Sequence, residues 1–478
     1  MTKFLNKLHI GGEWREALNG AHFDVLNPVN ETVLTSVAIG TVEDALACVD
    51  AADAAFAAWT SNPPHERSEI LRKAFEIFTE RLSAIARLIT LENGKAGTDA
   101  MDKAKYAAEF FRWHSEEAAR SDGYLGMAPA TGARTAVHQK LASIALLITP
   151  WNYPAAMGAR KIVPALAAGC PVVIKPASET PLTMLALISI LKEAGLPPGV
   201  INILPSRSPG EVVAAILADR RVRVVSFTGS TDMGRKILHA AADSIVKPAM
   251  ELGENAPFIV CQDADVEAAA QGRMLAKMRN LGEACTEANR IYVHEDVEVP
   301  FVESYIQKMA ALKMGNGLLP SIDVGPLVTA KTRDKAAYFV DDTVEKDAKV
   351  KLGGARPNGP GFYYPPTVLS QVPDSTACLS DEIFGPVTAI QTFTNEDEVV
   401  ARANNTEFGL VAYLHTKDMR RNLGLSERLD FGIIGLNCGL VSDPAAPFGG
   451  TKKFDLGREG GKQGMLEFQE TQYISTEL

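Results

Sequence analysis

No apolar run in the 478 residues approaches the roughly 18 needed to span a membrane, and the first residues, MTKFLNKLHIGGEW, lack the apolar core of a secretion signal. Absent too is any run of five basic residues. With a formal charge of -10, the composition argues against nucleic acid and anionic membrane as partners. The six cysteines (Cys48, Cys170, Cys261, Cys285, Cys378 and Cys438) include no CxxC pair, and the eight histidines form no HExxH or other ligand cluster. A structural disulfide framework and a metal site are therefore not expected, and the reading is a cytoplasmic protein with reduced thiols and a small-molecule partner. What the chain does have is 46% hydrophobic content over a length sufficient for two or three packed domains.

The opening 140 residues read as a short hairpin and three helices. Thr41 and Asp44 predict a capping box ahead of the first helix. The second follows Pro63-Pro64, carries apolar residues from Ile70 to Leu88 at helical spacing, and stops at Gly94. The third runs from about Asp99 to Arg120. All three read as scaffold.

From Ile144 the pattern changes to short apolar runs: Ile144 to Ile148, Val172 to Ile174, Val200 to Leu204 and Val222 to Phe227, starting 22 to 28 residues apart. Intervening helical segments make these βαβ units of an α/β, doubly wound parallel sheet. Ligands of such sheets bind beyond the carboxyl ends of the strands, which draws attention to the residues that follow each run. After the first come Trp151 and Asn152, the asparagine stiffened between Pro150 and Pro154 and suited either to stabilising an oxyanion or to forming a turn. The second ends in Lys175, placed to meet a ribose or a phosphate, or simply solvated. Beyond the fourth lies Gly229-Ser230-Thr231-Asp232-Met233-Gly234, where glycines permit a phosphate to approach a helix N-terminus. Its G-x-x-x-x-G spacing is not the Rossmann fingerprint, and Arg235-Lys236 stands where a triphosphate-binding loop needs Lys followed by Ser or Thr.

Glu251 then appears as a carboxylate flanked by apolar residues, an environment that raises a pKa toward that of a general base. Cys285 sits in a polar run between a helix ending near Arg279 and a strand beginning at Ile291; taken alone, a lone cysteine is more often buried and inert. Past Ile291 a second α/β alternation begins. It contains Glu382 and Phe384 before a strand, a Gly-rich tail, and an extended run from Met465 to Ile474 suited to an oligomer contact.

The order Asn152, Lys175, Gly229, Gly234, Glu251, Cys285, Glu382, Asn437, Phe448-Gly449-Gly450 resembles the aldehyde dehydrogenase superfamily along nearly the whole chain. The resemblance implies a cofactor-binding domain from 1–120 and 141–250, a catalytic domain from 251–445, and a small β oligomerisation flap from 121–140 and 459–478 serving a homodimer or homotetramer. It assigns Cys285 as nucleophile, Asn152 with the Cys285 N–H as oxyanion holder, and Glu251 as the base that activates the hydrolytic water. Trp151, Lys175, Ser178, Gly229, Ser230, Gly234, Glu382 and Phe384 would bind a nicotinamide dinucleotide. Ser178 stands where NAD-selective relatives often carry glutamate, so NADP is expected to be preferred, with NAD possible and Glu179 a counterweight.

Within the family, Asn152 to Met157, Lys175 to Ser178 and Gly439 to Ser442 look most like NADP-dependent succinate-semialdehyde dehydrogenases. Their substrate carboxylate would meet Arg160, Arg279 and Ser442, the arginine fork suiting both carboxylate oxygens. Another ω-carboxy aldehyde such as glutarate semialdehyde is the competing substrate, and a non-catalytic cofactor-binding member or a coenzyme A-acylating one the competing role. Departures from the family pattern are Glu254, Glu283, Phe454-Asp455 and Glu287. Glu254 and Glu283 are expected to add negative charge around the thiol and oppose its ionisation, and Glu287 replaces a cysteine that forms a regulatory disulfide in some relatives.

Overall fold

In the computed structural model, which describes residues 4–120, 122–207 and 209–476, two large sheets share the chain. The first has eight strands, with Lys247–Glu251, Val222–Thr228, Ile144–Ile148, Val172–Lys175 and Ile201–Ile203 adjacent in that order and parallel. Antiparallel strands close both edges: Asp455–Leu456 on one side, the Leu8–Ile10/Glu13–Arg15 hairpin on the other. Strand order reverses beside Ile144–Ile148, so the crevice of a doubly wound sheet opens where Trp151, Asn152, Gly229 and Ser230 follow their strands. Continuous apolar sequence is the cause. Ile144–Ile148 is buried at every position, as a strand covered on both faces by helices must be.

The second sheet has seven strands ordered Lys349–Leu352, Thr367–Ser370, Val387–Phe393, Ala288–His294, Ala256–Val260, Val411–His415 and Ile433–Leu436, all parallel except the first pair. Gln469–Thr476, Arg134–Leu141 and Gly123–Met127 form a separate exposed antiparallel sheet. Among the described residues no helix is long and apolar enough to cross a membrane.

Local expectations hold with three differences. The capping box forms, with Asp44 N–H donating to Thr41 Oγ1 at 3.2 Å, and Gly94 ends its helix with φ 86°. However, the second helix is two, Pro64–Glu80 and Leu82–Asn93, because Arg81 leaves helical geometry at φ -105°, ψ 11°. At the C-terminus, Gly461–Leu466 is helical, and only from Gln469 does the chain extend. The glycines of the fourth βα turn have a packing cause that the sequence did not suggest: a Cβ at Gly229 would lie 2.6 Å from the Phe227 ring, and one at Gly234 2.3 Å from Leu252.

Helix Ala156–Ala168 is buried at every residue, including Arg160 and Lys161. Two buried cations on one helix require partners, and those partners define the site. The helical layer over this sheet rests on Phe111, fully buried and paired with Phe78 at 5.8 Å between ring centroids. Phe111→Ala should destabilise the protein by about 3–5 kcal/mol, the usual loss for an emptied aromatic core position, read as a lower denaturant midpoint; an unchanged midpoint would show that this layer does not hold the fold.

Candidate active site

Arg160 and Lys161 face two carboxylates. Arg160 Nη1 lies 3.7 Å from Glu251 Oε2 and 3.6 Å from Glu459 Oε2, while Lys161 Nζ donates to Glu459 Oε1 and to Ser226 Oγ, the latter at 2.9 Å. Glu251, at the end of its strand and 2% exposed, also accepts from Thr228 Oγ1 at 3.0 Å. Burial and then repulsion from Glu459 push Glu251 up to about 7, with Arg160 and Lys161 opposing. Burial works the same way on Glu459, yet Lys161 and Arg160 together hold it below its ordinary value. Two neighbouring carboxyls driven apart in this way take different roles: Glu459 stays ionised, and Glu251 is poised to exchange a proton near neutrality.

Cys285 reaches the same pocket by a strained route. Helix Val266–Met278 ends in a turn in which Asn280, Leu281 and Gly282 all have positive φ, 59°, 55° and 76°. Left-handed backbone disfavours the two non-glycine residues by about 1–2 kcal/mol each, and hydrogen bonds offset it. Asn280 N–H donates to Asp99 Oδ2 at 3.0 Å, and Asn280 Nδ2 donates to the carbonyls of Glu283 and, at 3.1 Å, Asn152. Cys285 itself is half-buried. Burial and the nearby Glu251 carboxylate raise its thiol well above the ordinary value, while Arg160 and Arg279 pull it down.

Asn152 is 4% exposed, and its Nδ2 donates to the Glu283 carbonyl at 3.2 Å. A primary amide has two N–H bonds, so one remains for another acceptor. Arg160 Nη2 donates to Tyr106 Oη at 2.7 Å; among the described residues its Nε makes no hydrogen bond, and Nη1 has only the two ion pairs. Arg279 lies over the Tyr153 ring at 5.6 Å. The structure therefore brings Arg160 and Arg279 to the thiol; Ser442 is half-buried on the loop after Ile433–Leu436.

The acidic departures behave differently from expectation. Burial raises Glu254 and Glu283 to about 8 each, so at neutral pH they are largely uncharged and place little negative charge near the thiol. Their oxygens accept backbone N–H groups, from Leu410 at 2.8 Å and Val328 at 3.2 Å. Glu287 is paired with buried Lys277 at 2.8 Å and accepts the Phe384 N–H at 2.6 Å, which fixes Phe384 at φ 54°. At the last departure, the Phe454 carbonyl accepts Leu252 N–H at 2.8 Å and Asp455 accepts Gly450 N–H at 3.1 Å.

Phe384 and Trp151 meet edge to face at 5.3 Å. They wall a cleft of about 330 Å3 that also contains Asn152, Cys285, Ser230 and Glu382. Burial pushes Glu382 up to about 7, and it accepts Glu254 N–H at 3.2 Å. Ser230 caps helix Thr231–Ala242, its Oγ accepting Met233 N–H at 3.4 Å. An adjoining cavity of about 310 Å3 holds Ser178, Glu179, Arg207 and Lys331. Lys175, 8% exposed, is lowered by its burial. Aromatic walls and a helix N-terminus suit a dinucleotide, offering a stacking surface and a diphosphate end; the adjoining cavity sets Arg207 and Lys331 among Asp24, Glu92 and Glu179.

Sequence reasoning missed Glu459, Lys161, Tyr106, Asn280, Asn93 and Lys95. Glu459 fell inside the proposed flap, yet it reaches the centre of the site; its signal was a charge set between Gly457 and Gly460-Gly461. Asn93 and Lys95 flank the Gly94 helix stop and donate to consecutive carbonyls of the oxyanion-loop candidate, Asn93 to Trp151 at 2.9 Å and Lys95 to Asn152.

Comparison with known proteins places this geometry. The aldehyde dehydrogenase family model matches residues 14–474. The chain is 46% identical to succinate-semialdehyde dehydrogenase of Paenarthrobacter nicotinovorans over 92% of its length and 98% of that protein. It is 42% identical to glutarate-semialdehyde dehydrogenase of Pseudomonas putida over 98% of both. The solved structure of an NADP-dependent E. coli enzyme superimposes with a TM-score of 0.98 at 41% identity, covering 99% of this chain and 98% of that one. With the family match spanning nearly the whole sequence, the chain belongs to the aldehyde dehydrogenase family.

Proposed function

We propose that the protein oxidises a short ω-carboxy aldehyde, succinic semialdehyde first, to the dicarboxylic acid with NADP as the preferred acceptor. The observation that carries this reading is the pocket around Cys285, where a poised carboxyl and two arginines converge on one thiol.

Cys285, ionised, adds through sulfur to the aldehyde carbonyl, giving a thiohemiacetal whose oxyanion is held by the remaining Asn152 N–H and the Cys285 backbone N–H. A nicotinamide held in the cleft would supply the hydride acceptor, and loss of hydride from the thiohemiacetal carbon would leave a Cys285 thioester. Glu251 then removes a proton from water, which attacks the thioester; the acid departs and the sulfur is released as thiolate. Arg160 and Arg279 bind the distal carboxylate with Ser442, Arg160 through Nε, which makes no hydrogen bond among the described residues. Lys175, Ser178, Ser230 and the Gly229 to Gly234 turn hold the adenosine and diphosphate end, and Trp151, Glu382 and Phe384 the nicotinamide ribose and ring.

NADP preference is supported by neutral Ser178 beside Arg207 and Lys331, two cations available to a ribose 2'-phosphate, against Asp24 and Glu179, while Glu92 on the same cavity is raised to about 7 by its burial. The names of the relatives fit both a succinic and a glutaric semialdehyde. One methylene typically changes selectivity only about 10- to 200-fold, so glutarate semialdehyde is the second substrate of this reading. Free cysteines suit a reducing, cytoplasmic setting, and the exposed Tyr124, Leu125, Met127, Tyr473 and Ile474 of the three-stranded sheet suit a homo-oligomer contact.

Because the base acts unprotonated and its carboxyl is raised to about 7, turnover limited by thioester hydrolysis should rise with pH through that value. Glu251→Gln should abolish steady turnover yet retain one burst of NADPH per site; a variant with normal turnover would remove Glu251 from the reaction. Arg279→Ala should lower kcat/KM for succinic semialdehyde by about 10- to 150-fold, the worth of a charge-assisted hydrogen bond, while sparing an uncharged aldehyde of similar length. Equal losses on both would remove the carboxylate clamp. Ser178→Glu should depress kcat/KM with NADP by about 100-fold through like-charge repulsion and leave NAD largely unaffected, an outcome that parallel assays with the two nucleotides would test.

A further inference from the structure

We infer that Lys95 is a positioning residue for Asn152, holding the backbone of the oxyanion loop from the turn Asn93-Gly94-Lys95. The inference rests on the role given above to the Asn152 amide.

The geometry begins with helix Leu82–Asn93, which ends at left-handed Gly94. That turn is seated tightly: a Cβ on Gly94 would lie 2.9 Å from the Pro326 ring, and one on Gly325 1.8 Å from the Gly94 carbonyl. From this fixed base, Asn93 Nδ2 donates to the Trp151 carbonyl at 2.9 Å and Lys95 Nζ to the Asn152 carbonyl. Lys95 also lies 4.9 Å from the centre of the Tyr153 ring. Three consecutive residues of the loop are thereby gripped from one turn. Asn280, on the turn that delivers Cys285, donates to the same Asn152 carbonyl at 3.1 Å. One oxygen atom thus joins the nucleophile's turn, the oxyanion loop and Lys95.

An ordinary charge-pairing role does not account for Lys95. It is 5% exposed and makes no ion pair within 4 Å among the described residues. Its near carboxylate, Asp99, is engaged by Lys103 at 2.9 Å and by the Asn280 N–H at 3.0 Å. Burial lowers the Lys95 amine to about 7; Asp99 and Glu283 oppose this, and Lys103 and Arg279 add to it. A buried amine spent on a backbone carbonyl is unfavourable for folding in itself, and what it secures is the setting of the Asn152 side chain. Reacting groups must be held within about 0.5 Å of the productive geometry, and an amide N–H aimed at an oxyanion is sensitive to such a shift.

A double-mutant cycle on the full-length enzyme tests this. Lys95→Met should lower kcat for succinic semialdehyde by about tenfold or more, with the aldehyde KM and the NADP Kd within about twofold of the parent; Lys95→Arg should recover most of the loss. In the Asn152→Ala background, Lys95→Met should cost less than about twofold, because the group it positions is gone. Equal losses in both backgrounds, or a parallel loss of NADP affinity, would overturn the inference and leave Lys95 a structural residue. If Lys95→Met does not fold, Asn93→Ala, which leaves the Trp151 carbonyl only the 3.3 Å bond from Thr180 Oγ1, is run through the same cycle with the same two outcomes. Little loss in Asn152→Ala alone would instead overturn the oxyanion role of Asn152, a distinct result.

Discussion

Two carboxylates buried against two cations are the constraint on which the site depends. Arg160 and Lys161 lie on a helix with no exposed residue, and Glu251 and Glu459 supply the opposite charges that offset their burial there. Those acids arrive from distant parts of the chain, one from the last parallel strand of the first sheet and one from the Gly-rich tail. Their meeting ties the tail back across the fold, where Asp455–Leu456 also adds an edge strand beside Lys247–Glu251. Charge neutralisation and topology are one problem here: unless the tail returns, two cations and a carboxyl are buried with one counter-charge missing.

The same economy governs the loops around Cys285. Three successive left-handed residues would not hold their form alone. Asp99 and the Asn280 side chain retain them, and Asn280 simultaneously binds the loop bearing Asn152. Cys285 and Asn152 are therefore set relative to each other by hydrogen bonds to backbone atoms, which do not depend on the identity of their side chains. Glu287 does similar work on the opposite side, linking buried Lys277 to the Phe384 N–H and so to the wall of the cleft.

Much of the fold was legible because buried parallel strands are nearly continuous apolar runs. Ile144–Ile148 and Val222–Thr228 announce themselves, and the residues after them are where such a sheet places ligands. Asn152, Glu251 and Cys285 drew notice as a set only through the family resemblance, and the structure brings all three to one pocket. What the sequence concealed was long-range polar pairing. Lys95, Asn93 and Glu459 contact the site across 57, 58 and 298 residues respectively, and no local period encodes such a contact. Protonation was equally hidden. Glu254 and Glu283 read as negative charges, and burial makes them largely neutral against the backbone donors and the cations Arg290 and Lys95 that favour their ionised forms.

That neutrality changes how the thiol is controlled. With Glu254 and Glu283 uncharged, the groups that set Cys285 are its own burial, Glu251 against ionisation, and Arg160 and Arg279 for it. Burial and Glu251 prevail in the free protein, so the sulfur rests as a thiol, the form least open to oxidation. The positive field of Arg160 and Arg279 is thus the lever on the sulfur: an anion brought against these two guanidinium groups draws on the charge that supports the thiolate, and a cation brought near the sulfur adds to it.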